Sequence, residues 1–401
     1  METTDTGKFF LTEAAHAENE RKAAKSGNKN GNPIVMKSKI LAVTVDPASP
    51  TDGVFIAESA GLVRRIKLSS AEPTRTYRGP KAPVTCVAVG GRGNGTVFAG
   101  SWDKDIWSWD AETGRAGVRF SGHGDFVKAV VCARVSGREV LVSGGADKKI
   151  MVWDAETGRR LHTLQDAATT MLAVQALAVD PVLSTGEAVV VASAGSDPHI
   201  RRWRISLAAA EQLAEAFADR PGAERPTIEE HRTSVYGMHY AADAGDADGE
   251  GGCDLYTTDA DGLAKCLSRA RGWVAEDVFE HGDYLRAVVA TDAWVVTAGR
   301  DENVKVWDRA SGALHCTLEG HYDEVTDLAL MRDARGRPDR VCSVSIDGTI
   351  RTWPLARMEL DELVRKFQEA GRPAATDDAN PGGLLTAEEE AELAELMADD
   401  D

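Results

Sequence analysis

The chain has 401 residues, 43% of them hydrophobic, and a formal net charge of −18. That apolar content can fill a sizeable core, yet no run approaches the roughly 20 apolar residues of a membrane helix, and the acidity argues against a body that grips nucleic acid through clustered Lys and Arg. The six cysteines, Cys86, Cys132, Cys253, Cys266, Cys316 and Cys342, form neither a Cys-x-x-Cys pair nor a zinc spacing, so they read as small buried hydrophobes and no metal or cofactor is expected.

Residues 1–32 mix acidic residues, Gly and Asn with the start of a basic cluster, Arg21, Lys22, Lys25, Lys29, Lys37 and Lys39. This reads as a solvated, flexible leader. It lacks the apolar run and small-residue cleavage site of a secretory signal, so a cytoplasmic or nuclear place is expected.

Further along, an apolar strand ending in Trp recurs: Ile106 to Asp110, Ile150 to Asp154, Ile200 to Trp203, Val304 to Asp308 and Ile350 to Trp353. Trp109 to Trp153, Trp153 to Trp203 and Trp307 to Trp353 are spaced by roughly 44 to 50 residues, the period of stacked supersecondary units. Six residues before each such Trp stands an Asp (Asp103, Asp147, Asp197, Asp301, Asp347), in the place of a tight turn between two strands. Asp261 continues the series with Leu267 in the Trp position, and Phe55 to Gly61 followed by Leu62 to Ile66 gives a degenerate first member. The repeats number seven.

Gly122-His123 and Gly320-His321 precede two of these repeats, with Glu280-His281 and His231 as partial matches. At these residues the chain resembles the WD-repeat family. The resemblance implies an all-β, seven-bladed propeller over residues 33–354, with buried His, Ser or Thr, Asp and Trp networks inside the blades. Three such sets are complete: His123, Ser143, Asp147 and Trp153; His281, Thr297, Asp301 and Trp307; His321, Ser343, Asp347 and Trp353. One copy per blade speaks for structure, because a serine nucleophile needs a single exposed, strained site with an oxyanion hole. The second blade, with Pro80 and Ala99 in the His and Ser places, and the fourth, without Gly-His, are expected to be looser or held by other contacts. The resemblance also implies that the last blade borrows its outer strand from Pro33 to Lys37.

Between the fourth and fifth blades, residues 206–220 are strong helix formers behind Ser206, which predicts an inserted helix. Asp243 to Gly252 reads as a mobile loop, since it lacks the spacing of a calcium loop. After the ring, the apolar spacing over 355–370 predicts a docking helix. A Pro/Gly/Asp linker over 371–383 and an acidic amphipathic helix over 384–401, with Thr386 and Glu389 in capping-box spacing, complete the helical extension.

In the resembling family, recognition falls to the residue before each turn Asp and to those at the start of each inner strand. Here these positions gather Trp102, Phe126, Lys128, Tyr236, Tyr284, Arg286, Arg300 and Ile346, including the residue types that dominate binding hot spots. An aromatic and cationic rim on an acidic molecule suits a peptide with acidic and apolar residues. The expected function is therefore a non-catalytic scaffold or adaptor for other proteins. A chromatin-associated peptide reader or a ubiquitin-ligase substrate receptor is the alternative, although Trp109, Trp153 and Trp307 lack the Trp-Asp-x-Arg element of the latter.

Overall fold

A computed structural model describes residues 13–166, 169–217, 222–241 and 253–370. Residues up to Arg357 form one compact unit, and Met358 onward form a second. In the first unit, seven four-stranded antiparallel sheets follow one another as blades. Blade 1 starts at Ile40–Val45, blade 2 at Val84–Gly90, blade 3 at Val127–Val135 and blade 4 at Val174–Val179. Blades 5, 6 and 7 start at Val235–Ala241, Leu285–Ala290 and Val325–Arg332.

Blade 7 contains three strands from its own repeat and takes its fourth from the other end of the chain. Ile34–Val35 pairs antiparallel with Thr349–Pro354, Ile34 opposite Ile350. Gly31, at φ +70°, sits under the Trp353 ring, where a Cβ would come within 2.9 Å of ring carbon. No side chain fits there.

The second strands of blades 1, 4 and 6 are buried along their whole length, as in Phe55, Ile56 and Ala57 or Val295, Val296 and Ala298, because each sheet is covered on both faces by its neighbours. Apolar clusters lie between adjacent blades. Val63 and Tyr77 of blade 1, for example, pack with Val97 and Trp109 of blade 2. An aromatic from the outer strand of one blade meets the Trp of the next in Tyr77–Trp109, Phe120–Trp153 and Phe279–Trp307, with centroids 5.8–5.9 Å apart.

Two expectations are corrected. The described part of the segment expected as a helix over 206–220, residues 206–217, is not helical: Ala210–Gln212 is the outer strand of blade 4, paired with Trp203 to Ile205, and Glu215–Ala216 pairs with Glu224–Arg225. Sheet edge and ion pairs outweigh a helical propensity of a few tenths of a kcal/mol per residue. Nor is the leader free from Glu13 onward. Helix α1, Glu13–Lys25, is tied to the ring by ion pairs, as is the loop after it by hydrogen bonds.

Helix α2, Arg357–Ala370, forms within the segment expected to be helical and carries i,i+4 pairs Glu362–Lys366 and Arg365–Glu369. The expected loop at Asp243 to Gly252, the linker 371–383 and the acidic tail 384–401 lie outside the described residues. Among the described residues, no helix is long and apolar enough to cross a membrane.

Candidate partner-binding face

The Ser and His side chains that invite a catalytic reading lie inside the blades. In blade 3, Trp153 Nε1 donates to Ser143 Oγ at 2.9 Å, Ser143 Oγ meets a His123 ring nitrogen at 2.8 Å, and the other ring nitrogen meets Asp147 at 3.0 Å. The same relay links Trp307, Thr297, His281 and Asp301 in blade 6, and Trp353, Ser343, His321 and Asp347 in blade 7. Burial works to raise the Asp347 carboxyl, but the hydrogen bond from His321 holds it below its usual value. Ser143, Thr297 and Ser343 have no solvent exposure, so no substrate reaches them.

The incomplete blades use substitutes. His231 of blade 5 meets Thr257 and Asp259 at 2.7 and 2.8 Å. The acid here is Asp259, two residues before Asp261, which holds the turn position of the series. In blade 4 a buried arginine replaces the histidine: Arg201 reaches Asp166 at 2.6 Å and Asp197 at 2.9 Å. In blade 2, Trp107 Nε1 donates to Asp103 at 2.9 Å, Trp109 Nε1 donates to the Arg78 carbonyl, and Arg119 pairs with Asp105 over the Trp107 ring.

These networks fix the turns, and the turns build one face. In every blade, the backbone N–H of the turn residue donates to a carbonyl just before or at the inner strand. The pairs are Ser59–Lys39, Trp102–Pro83, Ala146–Phe126, Ser196–Ala173, Ala260–Ser234, Arg300–Tyr284 and Ile346–Glu324. Side chains at these positions therefore stand at equivalent places around the mouth of the central channel.

On this face the predicted residues form two clusters and two separate members. Trp102 and Phe126 stack at 4.9 Å with 13° between their planes, and Lys128 Nζ lies 5.8 Å from the Trp102 centroid. Tyr236 and Tyr284 lie 4.7 Å apart, with Arg286 over Tyr236 and 3.3 Å from the Tyr284 hydroxyl. Arg300 is exposed and Ile346 half-buried, outside both clusters.

Trp102, Lys128, Tyr236 and Arg286 line a channel cavity of about 340 Å³, with Asp327 and His239 also in its wall. Lys128 is held below the usual lysine value by burial and by the Arg286 charge; Arg286 itself pairs with Glu324 at 3.4 Å.

The channel wall titrates in opposite senses. Burial pushes the Asp327 carboxyl up to about 6 against two backbone hydrogen bonds, whereas burial and the Arg332 charge bring His239 down to about 4 against its hydrogen bond to the Ala290 backbone. A folded histidine at about 4 stays neutral while the unfolded chain takes up a proton near 6.5, so its contribution is lost as pH falls through that window. The raised Asp327 acts the other way, since the folded state protonates first between about 6 and 3.8. Melting midpoints at pH 7 and pH 5 check this. His239→Gln should show a smaller drop than wild type, and Asp327→Asn a larger one; equal drops in all three would remove both assignments.

Sequence reasoning missed the acidic part of this face. Glu302 and Asp323 receive three cations of α1, and the only signal available was the acid next to the blade 6 turn Asp.

Residues 71–110, 115–154, 277–308 and 312–354 match a family model described as WD domain, G-beta repeat. Blades 4 and 5, where Arg201 stands for the histidine and Leu267 for the tryptophan, lie between the matched segments. An uncharacterized WD repeat-containing protein of Schizosaccharomyces pombe is 29% identical over 408 residues, spanning 100% of both chains. Pre-mRNA-processing factor 19 of Homo sapiens is 32% identical over 98 residues, 23% of this chain and 19% of that protein. Telomerase protein component 1 of Rattus norvegicus is 24% identical over 205 residues, 50% of this chain and 7% of that protein.

Proposed function

We propose, from the premise that this chain carries WD repeats closed into a seven-bladed β-propeller, that it is a non-catalytic scaffold holding a protein partner on the face around the channel mouth. The observation that carries this reading is the pairing of Trp102, Phe126 and Lys128 on one side of the mouth with Tyr236, Tyr284 and Arg286 on another. Trp102 is 39% exposed, a large apolar side chain facing solvent. Stacked aromatics offer contact area at low entropic cost, and rigid backbone hydrogen bonds beneath them keep the cost of ordering small.

The partner segment that fits bears apolar side chains for the aromatic pairs and a carboxylate for Lys128. Among the described residues, no carboxylate lies within ion-pair distance of that ammonium. Similarity to part of pre-mRNA-processing factor 19 supports looking for partners in the nucleus as well as the cytoplasm.

Affinity purification from the native host tests the assignment. The variant Trp102→Ala/Tyr284→Ala/Arg300→Glu should lose a defined set of partners while melting as the wild type does. Each hot-spot truncation is worth about 2 kcal/mol, roughly a 30-fold loss. An unchanged partner set with intact folding would sink the face assignment.

A further inference from the structure

Helix α1 reads EAAHAENERKAAK, and its only apolar side chains are alanines. Ala17, Ala23 and Ala24, the alanines among its described side chains, are exposed and bury nothing on the ring. Three cations tie the helix to it. Arg21 and Lys25, four residues apart and hence on one side of the helix, converge on Glu302: Arg21 bonds both carboxylate oxygens at 2.5 and 2.7 Å, and Lys25 adds a contact at 2.8 Å. Lys22 reaches Asp323 at 2.6 Å.

Glu302 is 6% exposed, and the ion pairs hold its carboxyl below the usual value although burial alone would raise it. It is also the odd residue of its series. Lys104, Lys148, Gly262 and Gly348 occupy the same position after the turn Asp in blades 2, 3, 5 and 7. Blade 6 alone among these five places an acid there, at φ +69°, and the loop leading into blade 7 supplies a second.

The root of the helix is fixed independently. Buried Arg351 donates to the carbonyls of Asn28 and Asn30, and Thr352 N–H donates to the Gly31 carbonyl. When α1 lifts, its tether stays anchored, and the helix remains at high effective concentration above the notch. Ion pairs between partly exposed cations and the ring are weakened by salt.

We infer that Glu302 and Asp323 form a docking notch for a basic helix with cations at i, i+1 and i+4, filled in cis by α1 and open to such a helix on a partner once α1 is displaced. The notch stands without the aromatic reading above, because neither its acids nor its cations belong to the two aromatic clusters.

The test uses the full chain and a fluorescent peptide of residues 13–27, followed by anisotropy at low salt. Arg21→Ala/Lys22→Ala/Lys25→Ala, in which the cis helix has lost its grip, should bind the peptide about 10-fold or more tighter than wild type. Adding Glu302→Gln/Asp323→Asn should abolish that binding, and raising salt should weaken it. Equal binding to wild type and the triple alanine variant, binding that survives the Gln/Asn changes, or no binding to any of them overturns the proposal. Hydrogen exchange on wild type reads the cis state: protection of Glu13–Lys25 should fall with salt, and salt-independent protection overturns the electrostatic latch. The Trp102→Ala/Tyr284→Ala/Arg300→Glu variant should bind the peptide as wild type does, so failure of the notch and failure of the aromatic face are separable.

Discussion

Replacing Arg202 by methionine is expected to lower stability by about 3–5 kcal/mol, the usual cost of removing one partner from a buried ion pair. Arg202 is 4% exposed and bridges Asp180 at 3.1 Å and Glu215 at 2.9 Å. Its guanidinium also lies 4.6 Å from the Trp273 centroid, with Arg269 at 4.7 Å from the same ring. Asp180 would keep Arg269 at 2.8 Å and two backbone N–H donors. Glu215 would be left without Arg202, and burial already raises its pKa.

The charge argument makes a second claim that packing alone does not. Arg202→Met/Glu215→Gln should recover most of the loss, because the stranded charge is gone while the aliphatic stem still packs on Trp273. Thermal melting of both variants decides it. A double variant as unstable as the single one would assign the cost to lost packing on Trp273. Since Glu215 belongs to the segment between blades 4 and 5, the single variant should also loosen the pairing of Glu215–Ala216 with Glu224–Arg225.

Ser343→Ala is expected to cost about 2–4 kcal/mol. Ser343 Oγ accepts from Trp353 Nε1 and meets a His321 ring nitrogen, and its removal leaves both buried groups unsatisfied, at roughly 1–3 kcal/mol each. The corresponding Ser143→Ala in blade 3 breaks an identical relay in a blade whose outer strand, Arg160–Leu164, is five residues long. Blade 7 is closed by the two residues Ile34–Val35. The loss should therefore be greater at Ser343, with faster proteolysis near Ile34. Equal losses at the two serines would show that closure carries no extra strain on stability. Ser343→Thr, which restores the hydroxyl as Thr297 does in blade 6, is the control.

Much of this architecture was legible because the repeats carry their own internal check. A Trp six residues after a turn Asp means little once; at Asp103, Asp147, Asp197, Asp301 and Asp347 it fixes strand order, turn type and the inward face together. The reading failed where a partner is distant in sequence. Residues 206–220 are good helix formers taken alone, and only Arg202 and the free edge of Trp203 to Ile205 turn Glu215 and Ala210–Gln212 into sheet and ion pair. The α1 cations looked solvated because Glu302 lies 281 residues from Arg21. Periodicity marks Asp261 at the turn position but does not tell which carboxylate the His231 ring reaches, which is Asp259. The sorting of the proposed rim residues into Trp102/Phe126/Lys128 and Tyr236/Tyr284/Arg286 depends on ring geometry that spacing does not encode.

The seam at Ile34–Val35 also has a temporal meaning. The Asn30 carbonyl and the Arg351 side chain that holds it are separated by 321 residues of chain, so a ribosome working at roughly 5–20 residues per second makes Arg351 tens of seconds after Asn30. Throughout that interval blades 1 to 6 can collapse in turn, each on its predecessor, while the strand that completes the circle waits with an unpaired backbone edge. An edge left open that long invites pairing with another nascent chain. A chaperone that shields Ile34–Val35, or a slow stretch of translation before Thr349, would therefore change yield without changing the stability of the finished protein.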